Sequence, residues 1–516
     1  MKLNILVGGK AGQGPNILAD LVSRALVAKG FSVFNSREYG SFIRGGHNYN
    51  LVSVSDEPIA SNHERVDILV CLDENTGKIH ESELNKKAII LKCCQRNNMF
   101  YAGSLFKILG LDFRVLENEL RHLKKNFDQN MRDARAGFET EKKQLVVLPN
   151  IAFNKQQTLA FTSGSEAIAK SSADFGGLEY YYSYPMTPAT PLAMDLSAIQ
   201  SATKGKVRTI ELESEIAVVN AALGSSIAGS ISACGTSGGG FDLMTEALSL
   251  AGQAEIPIVV YLAQRPGPST GMPTYTGQGD LNLARHAGHG EFARVVLTPG
   301  DSKESIESAS YAFCLSQKYK TPVILLGDKH LAESKYTFVN NPKTITSEKI
   351  ASVLKKFNSY EHDKEGIATE DEKIINANFK RRLLEKQKKI QEEIDTSKEI
   401  ISYKTHGKKD SKNLVVSWGS TKGAILDAIT YSKIDAKFLQ LLVVEPFPSK
   451  AVSEIKNHKD RNRIFVAESN ATSQLSQLIA EKTGIIIDDK NKILKYDGRA
   501  FTSDEIAREL KKRGVK

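Results

Sequence analysis

Short apolar runs of strand length alternate along most of the chain with longer stretches in which apolar residues recur at helical spacing. This alternation is typical of α/β proteins, in which helices cover mainly parallel sheets. The apolar run LNILV near the start, for example, is followed by glycines and then by a helix-like stretch. The strands that the pattern predicts cover residues 3–7, 32–36, 49–55, 67–72, 88–91, 179–185, 207–211, 230–235, 256–263, 294–299, 321–328, 413–419, 438–448 and 463–469.

The alternation falls into three blocks, which predict three doubly wound, mainly parallel-sheet domains at residues 1–150, 155–332 and 413–516. Residues 333–412 form a charged helical connector in this interpretation, because roughly half of the residues from 361 onwards are charged. Within it, the segment FKRRLLEKQKKIQEEI predicts a helix exposed to solvent along most of its surface.

The composition is that of an ordinary globular protein of 516 residues, with 41% apolar and 25% charged residues. The chain has no apolar run of about eighteen residues, and LNILV is too short for the apolar region of a secretory signal. We therefore expect a cytoplasmic protein that is not bound to a membrane. The net charge of +9 is small for this length and forms no basic stripe interleaved with aromatic residues. Small anions are therefore more plausible ligands than nucleic acid.

The five cysteines contain no C-x-x-C pair and no group of four at the spacing of a zinc or iron–sulfur site. This spacing predicts reduced thiols and neither a metal site nor a cluster within the chain itself. The cysteines are Cys71, Cys93, Cys94, Cys234 and Cys314.

Two glycine-rich segments of the first domain are candidates for anion binding. GGKAGQG, which contains Gly12 and Gly14, follows a predicted strand and precedes a helix, where backbone N–H groups can bind a phosphate. A tight turn that needs small residues explains the same segment equally well. REYGSFIRGGHNYN places Arg44 beside Gly45 and indicates anion contact or an interface, with a solvated basic loop as the alternative.

Four polar segments of the middle domain each follow a predicted strand. They are YPMTP (184–188), ELESE (211–215), TSGGG (236–240) and QRPGPSTGMPT (264–274). Because the carboxyl ends of parallel strands meet at one edge of a sheet, we expect these segments to lie together. Loops held in this way by a rigid sheet commonly carry chemistry, although TSGGG alone is also compatible with a tight turn.

These segments, in their wider context, resemble a known family. YPMTP, ESEIAVVNAALGSSIAG, TSGGGFDLMTEALSLAG and QRPGPSTGMPTYTGQGDL closely resemble the alpha subunit of 2-oxoacid:ferredoxin oxidoreductases. The two glycine-rich segments of the first domain resemble the gamma region that many of these subunits carry fused in front, and EHDKEGIATED resembles their connector. The resemblance implies a gamma-type domain, a pyrimidine-binding domain for thiamine diphosphate and a domain of the transketolase C-terminal type.

The resemblance also implies the residues that bind the cofactor. Glu215 matches the catalytic glutamate that hydrogen-bonds the aminopyrimidine ring of thiamine diphosphate, whereas Glu211 and Glu213 lack the family's spacing to the following helix. A carboxylate stabilised at the start of a helix is the alternative explanation for Glu215. Thr236, Ser237 and Gly238 are expected to contact the cofactor.

The same resemblance implies a site for the 2-oxoacid. Arg265 matches the arginine that holds the substrate carboxylate, and its planar fork suits a carboxylate better than lysine does. Thr187 matches a threonine near the substrate carbonyl, and Tyr184 and Pro185 of the same motif are expected to bind the substrate as well. A surface ion pair for Arg265 and a turn-stabilising hydroxyl for Thr187 are the alternatives. Gly12, Gly14, Arg44 and Gly45 are expected to bind coenzyme A or to form an interface.

The chain lacks the G-D-G…N pattern by which thiamine enzymes hold magnesium, as well as clustered cysteines. The resemblance therefore implies that Mg²⁺ and a [4Fe-4S] cluster belong to a separate beta subunit, in a heterodimer or a dimer of heterodimers. The implied reaction converts a 2-oxoacid, with 2-oxoglutarate favoured, and coenzyme A to acyl-CoA and carbon dioxide while reducing ferredoxin. Pyruvate, branched-chain or broad 2-oxoacid substrates remain alternatives, as does a non-catalytic, nucleotide-binding scaffold subunit.

Overall fold

The computed structural model describes residues 1–40, 46–94, 96–123, 126–142, 144–149, 151, 158–350 and 360–516. They form two compact units, between which the chain passes more than once. The first unit consists of Met1–Ser163, Glu333–Asn341 and Thr502–Ala507. The second consists of Gly164–Ala332, Pro342–Phe501 and Arg508–Lys516. The segments predicted as second and third domains thus fall mainly within one unit, and the predicted domain boundaries themselves stay a prediction.

The strands are β1 (Lys2–Lys10), β2 (Ser32–Tyr39), β3 (His47–Ser55), β4 (Val66–Cys71), β5 (Leu84–Leu91), β6 (Leu159–Ser163), β7 (Tyr180–Ser183), β8 (Arg208–Glu211), β9 (Ser232–Thr236), β10 (Ile258–Gln264), β11 (Val295–Leu297), β12 (Pro322–Asp328), β13 (Lys335–Val339), β14 (Glu361–His362), β15 (Ala368–Thr369), β16 (Tyr403–Gly407), β17 (Leu414–Trp418), β18 (Lys437–Leu441), β19 (Val443–Glu445), β20 (Ile464–Glu468) and β21 (Lys492–Leu494).

The α-helices are α1 (Pro15–Ala28), α2 (Thr76–Ile79), α3 (Asn98–Ile108), α4 (Phe113–Arg121), α5 (Phe127–Thr140), α6 (Gly164–Asp174), α7 (Thr190–Ala202), α8 (Glu215–Ile227), α9 (Gly238–Ala254), α10 (Leu281–His286), α11 (Ser302–Tyr319), α12 (Lys329–Glu333), α13 (Glu372–Phe379), α14 (Lys386–Thr396), α15 (Lys422–Tyr431), α16 (Ser449–Lys456), α17 (Gln474–Thr483) and α18 (Ser503–Lys512). This mixture of strands and helices confirms the α/β class.

The sheet of the first unit has the strand order β5-β4-β1-β3-β2-β13-β6. Strands β1, β4 and β5 run parallel, whereas β1 with β3, β3 with β2, β2 with β13 and β13 with β6 run antiparallel. The connection between β2 and β3 is too short for a helical crossover, so these two strands can pair only in the antiparallel sense. The sheet is therefore mixed, and helix α1 packs Leu18, Val22 and Leu26 into its core.

The second unit contains two larger sheets. One has the order β19-β11-β12-β10-β9-β7-β8 and is parallel except where β19 joins β11. The other has the order β16-β18-β17-β20-β21 and is parallel except for β16. A single apolar core contains residues of both sheets, including Val260 on β10 and Trp418 on β17. The C-terminal strands therefore contribute directly to the packing of the middle sheet.

The charged connector is less exposed than its composition predicts. Helices α13 and α14 are joined by a π-helical segment, Lys380–Glu385, which makes one continuous rod. Ile390 and Ile394 on this rod are only 1% and 2% exposed and pack in a core of the second unit. Most of the other residues of the predicted segment are exposed, as expected, so the helix buries one face and leaves the rest of its surface in solvent. Among the described residues, no helix has the length and apolar character needed to cross a membrane.

Candidate functional site

The strand ends of the middle sheet gather the predicted site residues at one edge. Strands β10, β9, β7 and β8 are neighbours and run parallel. Thr236 at the end of β9 lies opposite Leu262 of β10, and Ser183 at the end of β7 lies opposite Glu211 of β8. The loops that leave these four strands therefore start at the same level, as the sequence predicted.

Glu215 is the first residue of α8, just beyond the end of β8. The hydroxyl of Ser214 caps the helix by accepting a hydrogen bond from the backbone N–H of Ala217 at 3.3 Å. The Glu215 residue is only 4% exposed, and its Oε1 atom is buried without a hydrogen-bond partner among the described residues. An acceptor buried in this way is costly unless a donor arrives. The alternative of an exposed helix-start carboxylate does not fit this burial.

The first turn of α9 forms the wall beside Glu215. A Cβ atom added at Gly240 would lie 2.5 Å from Glu215 Oε1 and still closer to Thr236 Oγ1. Only a residue without a side chain fits between these two oxygens. Thr236 and Ser237 are fully buried, and the Ser237 hydroxyl has no hydrogen-bond partner. The TSGGG segment thus brings backbone and hydroxyl groups against the Glu215 carboxyl.

Arg265 follows the last residue of β10 and joins this group from the other side. Its Nη1 atom donates a hydrogen bond to the backbone carbonyl of Thr187, 2.5 Å away. Partial burial lowers the pKa of Arg265, while the negative charges of Asp280 and Glu215 act in the opposite direction. The guanidinium is thus tied to the YPMTP loop and lies within electrostatic range of two carboxyl groups.

The structure adds Asp280, which belongs to the GQGDL segment and for which the family resemblance implied no role. A Cβ atom added at Gly238 would lie 2.8 Å from Asp280 Oδ2, so the Asp280 carboxyl lies against the start of α9. This Oδ2 atom is buried and has no hydrogen-bond partner. Burial and the negative charge of Asp242 raise the pKa of Asp280 to about 6, although Arg265 acts to lower it. The sequence feature that could have indicated Asp280 is its place as an acidic residue at the end of the glycine-containing loop after β10.

Two glutamines fix the backbone that carries Asp280. Gln264 Oε1 accepts a hydrogen bond from the Asp280 N–H at 3.0 Å, while its Nε2 donates to the carbonyl of Gly327. Gln278 is fully buried, and its amide is hydrogen-bonded to Thr421 Oγ1, Ser469 N and Trp418 O. Because these last three residues come from the C-terminal strands and loops, that part of the chain helps to shape the site.

Of the other predicted residues, two share the loop of Thr187, two belong to the first unit and two lie outside the described residues. Tyr184 is 40% exposed and Pro185 is also exposed, in the loop that Thr187 shares. Gly12 and Gly14 belong to the first unit, where their φ angles of 96° and 78° require glycine, as a tight turn does. Arg44 and Gly45 lie outside the described residues.

The site therefore combines a cation with buried oxygen atoms that have no hydrogen-bond partner among the described residues. These atoms are Glu215 Oε1, Asp280 Oδ2 and Ser237 Oγ. Such an arrangement suits a ligand that brings its own hydrogen-bond donors to the carboxyl oxygens and an anionic group to Arg265. Within the described part of the chain, no group of three or more His, Cys, Asp or Glu side chains is placed to hold a metal ion.

Comparisons with known proteins agree with this geometry. Residues 171–404 match the family described as pyruvate flavodoxin/ferredoxin oxidoreductase, thiamine diphosphate-binding, and residues 4–93 match that of pyruvate ferredoxin/flavodoxin oxidoreductase. The chain is 28% identical to the 2-oxoacid:ferredoxin oxidoreductase subunit alpha of a Sulfolobus species, over 99% of this chain and 96% of the relative. It is 29% identical to the 2-oxoglutarate synthase subunit KorA of Methanocaldococcus jannaschii, over 60% of this chain and 88% of the relative.

A solved structure shares the fold over nearly the whole length. The 2-oxoglutarate:ferredoxin oxidoreductase of Magnetococcus marinus superposes with a TM-score of 0.84 at 24% identity and covers 99% of both chains. This solved structure shows the fold. The full-length similarity to alpha subunits and the match to the thiamine diphosphate-binding family confirm the family indicated by the sequence motifs. The chain belongs to the 2-oxoacid:ferredoxin oxidoreductase family, in which it corresponds to the alpha subunit.

Proposed function

We propose that this subunit takes part in the oxidative decarboxylation of 2-oxoglutarate with coenzyme A. The balanced reaction converts the 2-oxoacid, coenzyme A and two oxidised ferredoxins to acyl-CoA, carbon dioxide, one proton and two reduced ferredoxins. The choice of 2-oxoglutarate is supported by the name of the archaeal KorA relative, 2-oxoglutarate synthase, because that name gives 2-oxoglutarate as the 2-oxoacid of its reaction. Pyruvate and branched-chain 2-oxoacids are the competing substrates.

The observation that carries the proposal is the buried Glu215 carboxyl with its unpartnered Oε1 atom. Thiamine diphosphate fits this position, because its aminopyrimidine ring offers N–H and protonated ring-nitrogen donors to a carboxylate. When bound, the cofactor supplies the electron acceptor that allows carbon dioxide to leave a 2-oxoacid. Glu215 would hold a proton at the ring nitrogen that it hydrogen-bonds, and the absence of a side chain at Gly240 leaves the carboxyl free to do so.

Arg265 would bind the substrate carboxylate. The hydrogen bond from Nη1 to the Thr187 carbonyl fixes one side of the guanidinium and leaves its planar fork oriented within the site. Burial strengthens the attraction between this cation and an incoming anion, since fewer water molecules screen it. Thr187 then lies next to the bound carboxylate through the same contact.

The remaining components would come from a beta subunit that binds Mg²⁺ and a [4Fe-4S] cluster. The resulting complex is a heterodimer or a dimer of heterodimers in the cytoplasm, which passes its electrons to ferredoxin. The name of the alpha subunit itself implies at least one further subunit in the relatives that carry it.

The test begins with anaerobic purification of this chain from its host together with any bound subunit. The preparation is assayed for viologen reduction that requires both coenzyme A and a 2-oxoacid, across 2-oxoglutarate, pyruvate and branched-chain 2-oxoacids. The highest kcat/KM with 2-oxoglutarate would support the proposal, and a preference for another 2-oxoacid would reassign the substrate. No reduction with any 2-oxoacid, despite a bound partner and added thiamine diphosphate, would favour the scaffold alternative.

A matched pair of variants tests the role of Glu215. Glu215→Gln keeps the shape of the side chain but removes its ability to hold a proton, so turnover is expected to fall by about 100-fold or more. Glu213→Gln removes an exposed carboxylate two residues earlier and is expected to keep normal turnover. Equal activity of the two variants would show that Glu215 has no catalytic role.

A further inference from the structure

The proposed function leaves one charged group of the site without a role. Asp280 Oδ2 is buried against the start of α9, beside Gly238, and has no hydrogen-bond partner. The backbone of Asp280 is fixed by the amide of Gln264, the residue directly before Arg265. The Asp280 carboxyl therefore has a defined position within electrostatic range of Arg265.

The charges around Asp280 come from two elements. Arg265, after β10, attracts the carboxylate, and Asp242, an exposed residue on α9, repels it. Arg265 also experiences the charge of Glu215 on α8. Among the described residues, no ion pair at direct contact distance joins Asp280 to Arg265, so the charge of Asp280 acts on Arg265 through space. In the free site, one guanidinium thus balances two nearby carboxyl groups.

We propose that Asp280 is a positioning residue that competes with the 2-oxoacid carboxylate for Arg265 and takes up a proton when the 2-oxoacid binds. In the free site Asp280 is a carboxylate that balances the guanidinium. In the bound site the substrate carboxylate faces Arg265 and Asp280 is a neutral carboxylic acid, whose proton comes from the solvent. The inference rests on the proposed function, since it takes Arg265 as the binding group for the substrate carboxylate.

The physical reason is the cost of placing another anion in a partly buried site. A third carboxylate beside a single cation is strongly unfavourable where few water molecules screen the charges, and protonation of one of the carboxyl groups removes this repulsion. Asp280 can accept this proton, because its buried Oδ2 atom lies against the start of α9 and because burial and Asp242 raise its pKa to about 6. Above pH 6, substrate binding must therefore compete with the ionised form of Asp280.

The first experiment measures kcat and KM for the 2-oxoacid between pH 5.5 and 8 in the purified complex. KM is expected to be constant below about pH 6 and to rise by up to about tenfold per pH unit above it, with kcat less affected. Asp280→Asn, which is neutral at all pH values and of similar shape, is expected to keep the low-pH value of KM throughout. A KM that rises with pH as steeply in Asp280→Asn as in the unsubstituted complex would overturn the inference.

A binding measurement separates the role of Asp280 from turnover. Oxamate, a 2-oxoacid analogue that cannot lose carbon dioxide, is titrated into the complex by calorimetry at pH 7 in buffers of different ionisation enthalpy. The unsubstituted complex is expected to take up about one proton per bound oxamate, and Asp280→Asn about none. Equal proton uptake in both would contradict the proposal.

Asp242→Asn provides a variant that leaves Asp280 and its packing unchanged. Removal of this neighbouring charge lowers the pKa of Asp280, so the rise of KM is expected to begin at a lower pH, with kcat unchanged. A merely structural role of Asp280 would not produce this shift, and an unshifted profile would count against the inference. Failure of the proposed function would be seen separately, because the unsubstituted complex would then not reduce viologen with any of the 2-oxoacids tested. The inference would fail together with it.

Discussion

Replacement of Gly240 by alanine tests how closely α9 approaches the Glu215 carboxyl. The added Cβ atom would lie 2.5 Å from Glu215 Oε1, whereas real Cβ atoms stay at least 3.0 Å from such neighbours. Glu215, Thr236 or the helix must therefore move by 0.5 Å or more. Since a displacement of about 1 Å costs about 100-fold in rate, we expect kcat to fall by about 10- to 100-fold.

The neighbouring glycine supplies the control. A Cβ atom at Gly239 would have its nearest neighbour, the Ser269 carbonyl oxygen, at 3.8 Å, which is an ordinary contact. Gly239→Ala is therefore expected to keep normal kcat and to gain up to about 1 kcal/mol of stability from the higher helix propensity of alanine. Gly240→Ala should instead lose about 1–3 kcal/mol to overpacking, partly offset by the same gain.

The assay is viologen reduction at saturating 2-oxoacid and coenzyme A, combined with thermal unfolding of each purified complex. A folded Gly240→Ala complex with the kcat of the unsubstituted complex would refute the reasoning, because Glu215 would then tolerate displacement. A loss of kcat shared equally by Gly239→Ala would point to the helix as a whole rather than to the contact with Glu215.

Two further predictions concern charged residues of the second unit. Arg265→Lys replaces a planar fork by a point charge and should raise KM for the 2-oxoacid by about tenfold or more. Arg208→Lys, at an exposed arginine, is the control and should leave KM unchanged. Equal KM values for the two variants would show that Arg265 does not bind the 2-oxoacid. Burial alone would raise the pKa of Glu255, but hydrogen bonds and charge from Arg381 and Lys386 lower it to about 2. The stabilisation by the ionised Glu255 carboxyl is complete above its ordinary pKa of about 4.5 and is lost as the pH falls towards 2. Over this pH range, Tm should therefore fall less steeply in Glu255→Gln than in the unsubstituted protein. Parallel curves of Tm against pH for the two proteins would contradict this.

The sequence predicted the middle sheet well because its strands are short and bounded by turns, and most of them are buried along their length. The predicted strand 256–263 corresponds to β10 (Ile258–Gln264), and 321–328 corresponds to β12 (Pro322–Asp328). The segments that follow these strands were expected at one edge, and Glu215, Thr236, Thr187 and Arg265 do lie together there. Strand ends are local features, and the parallel order of the sheet converts them into a site.

Features that depend on distant contacts were not predictable in this way. Strand β13 lies within the stretch read as a connector, and its partner β2 is about three hundred residues earlier in the chain. The role of Asp280 depends on an unpartnered oxygen, which only the packed structure reveals. The connector was predicted to be exposed because it is rich in charged residues. Several of these residues form ion pairs that hold the helix against the rest of the unit, such as Lys386 with Glu255.

The position of β13 has a consequence for how the protein is made. Strand β6 joins the sheet of the first unit through β13, which lies between β2 and β6, and Thr502–Ala507 completes the same unit. During synthesis, β2 therefore leaves the ribosome with an unpaired hydrogen-bonding edge. That edge is covered only when β13 has been made, after more than half of the chain has been synthesised. The N-terminal unit begins to fold first but is finished among the last, so the nascent chain needs protection from edge-to-edge association throughout most of its synthesis.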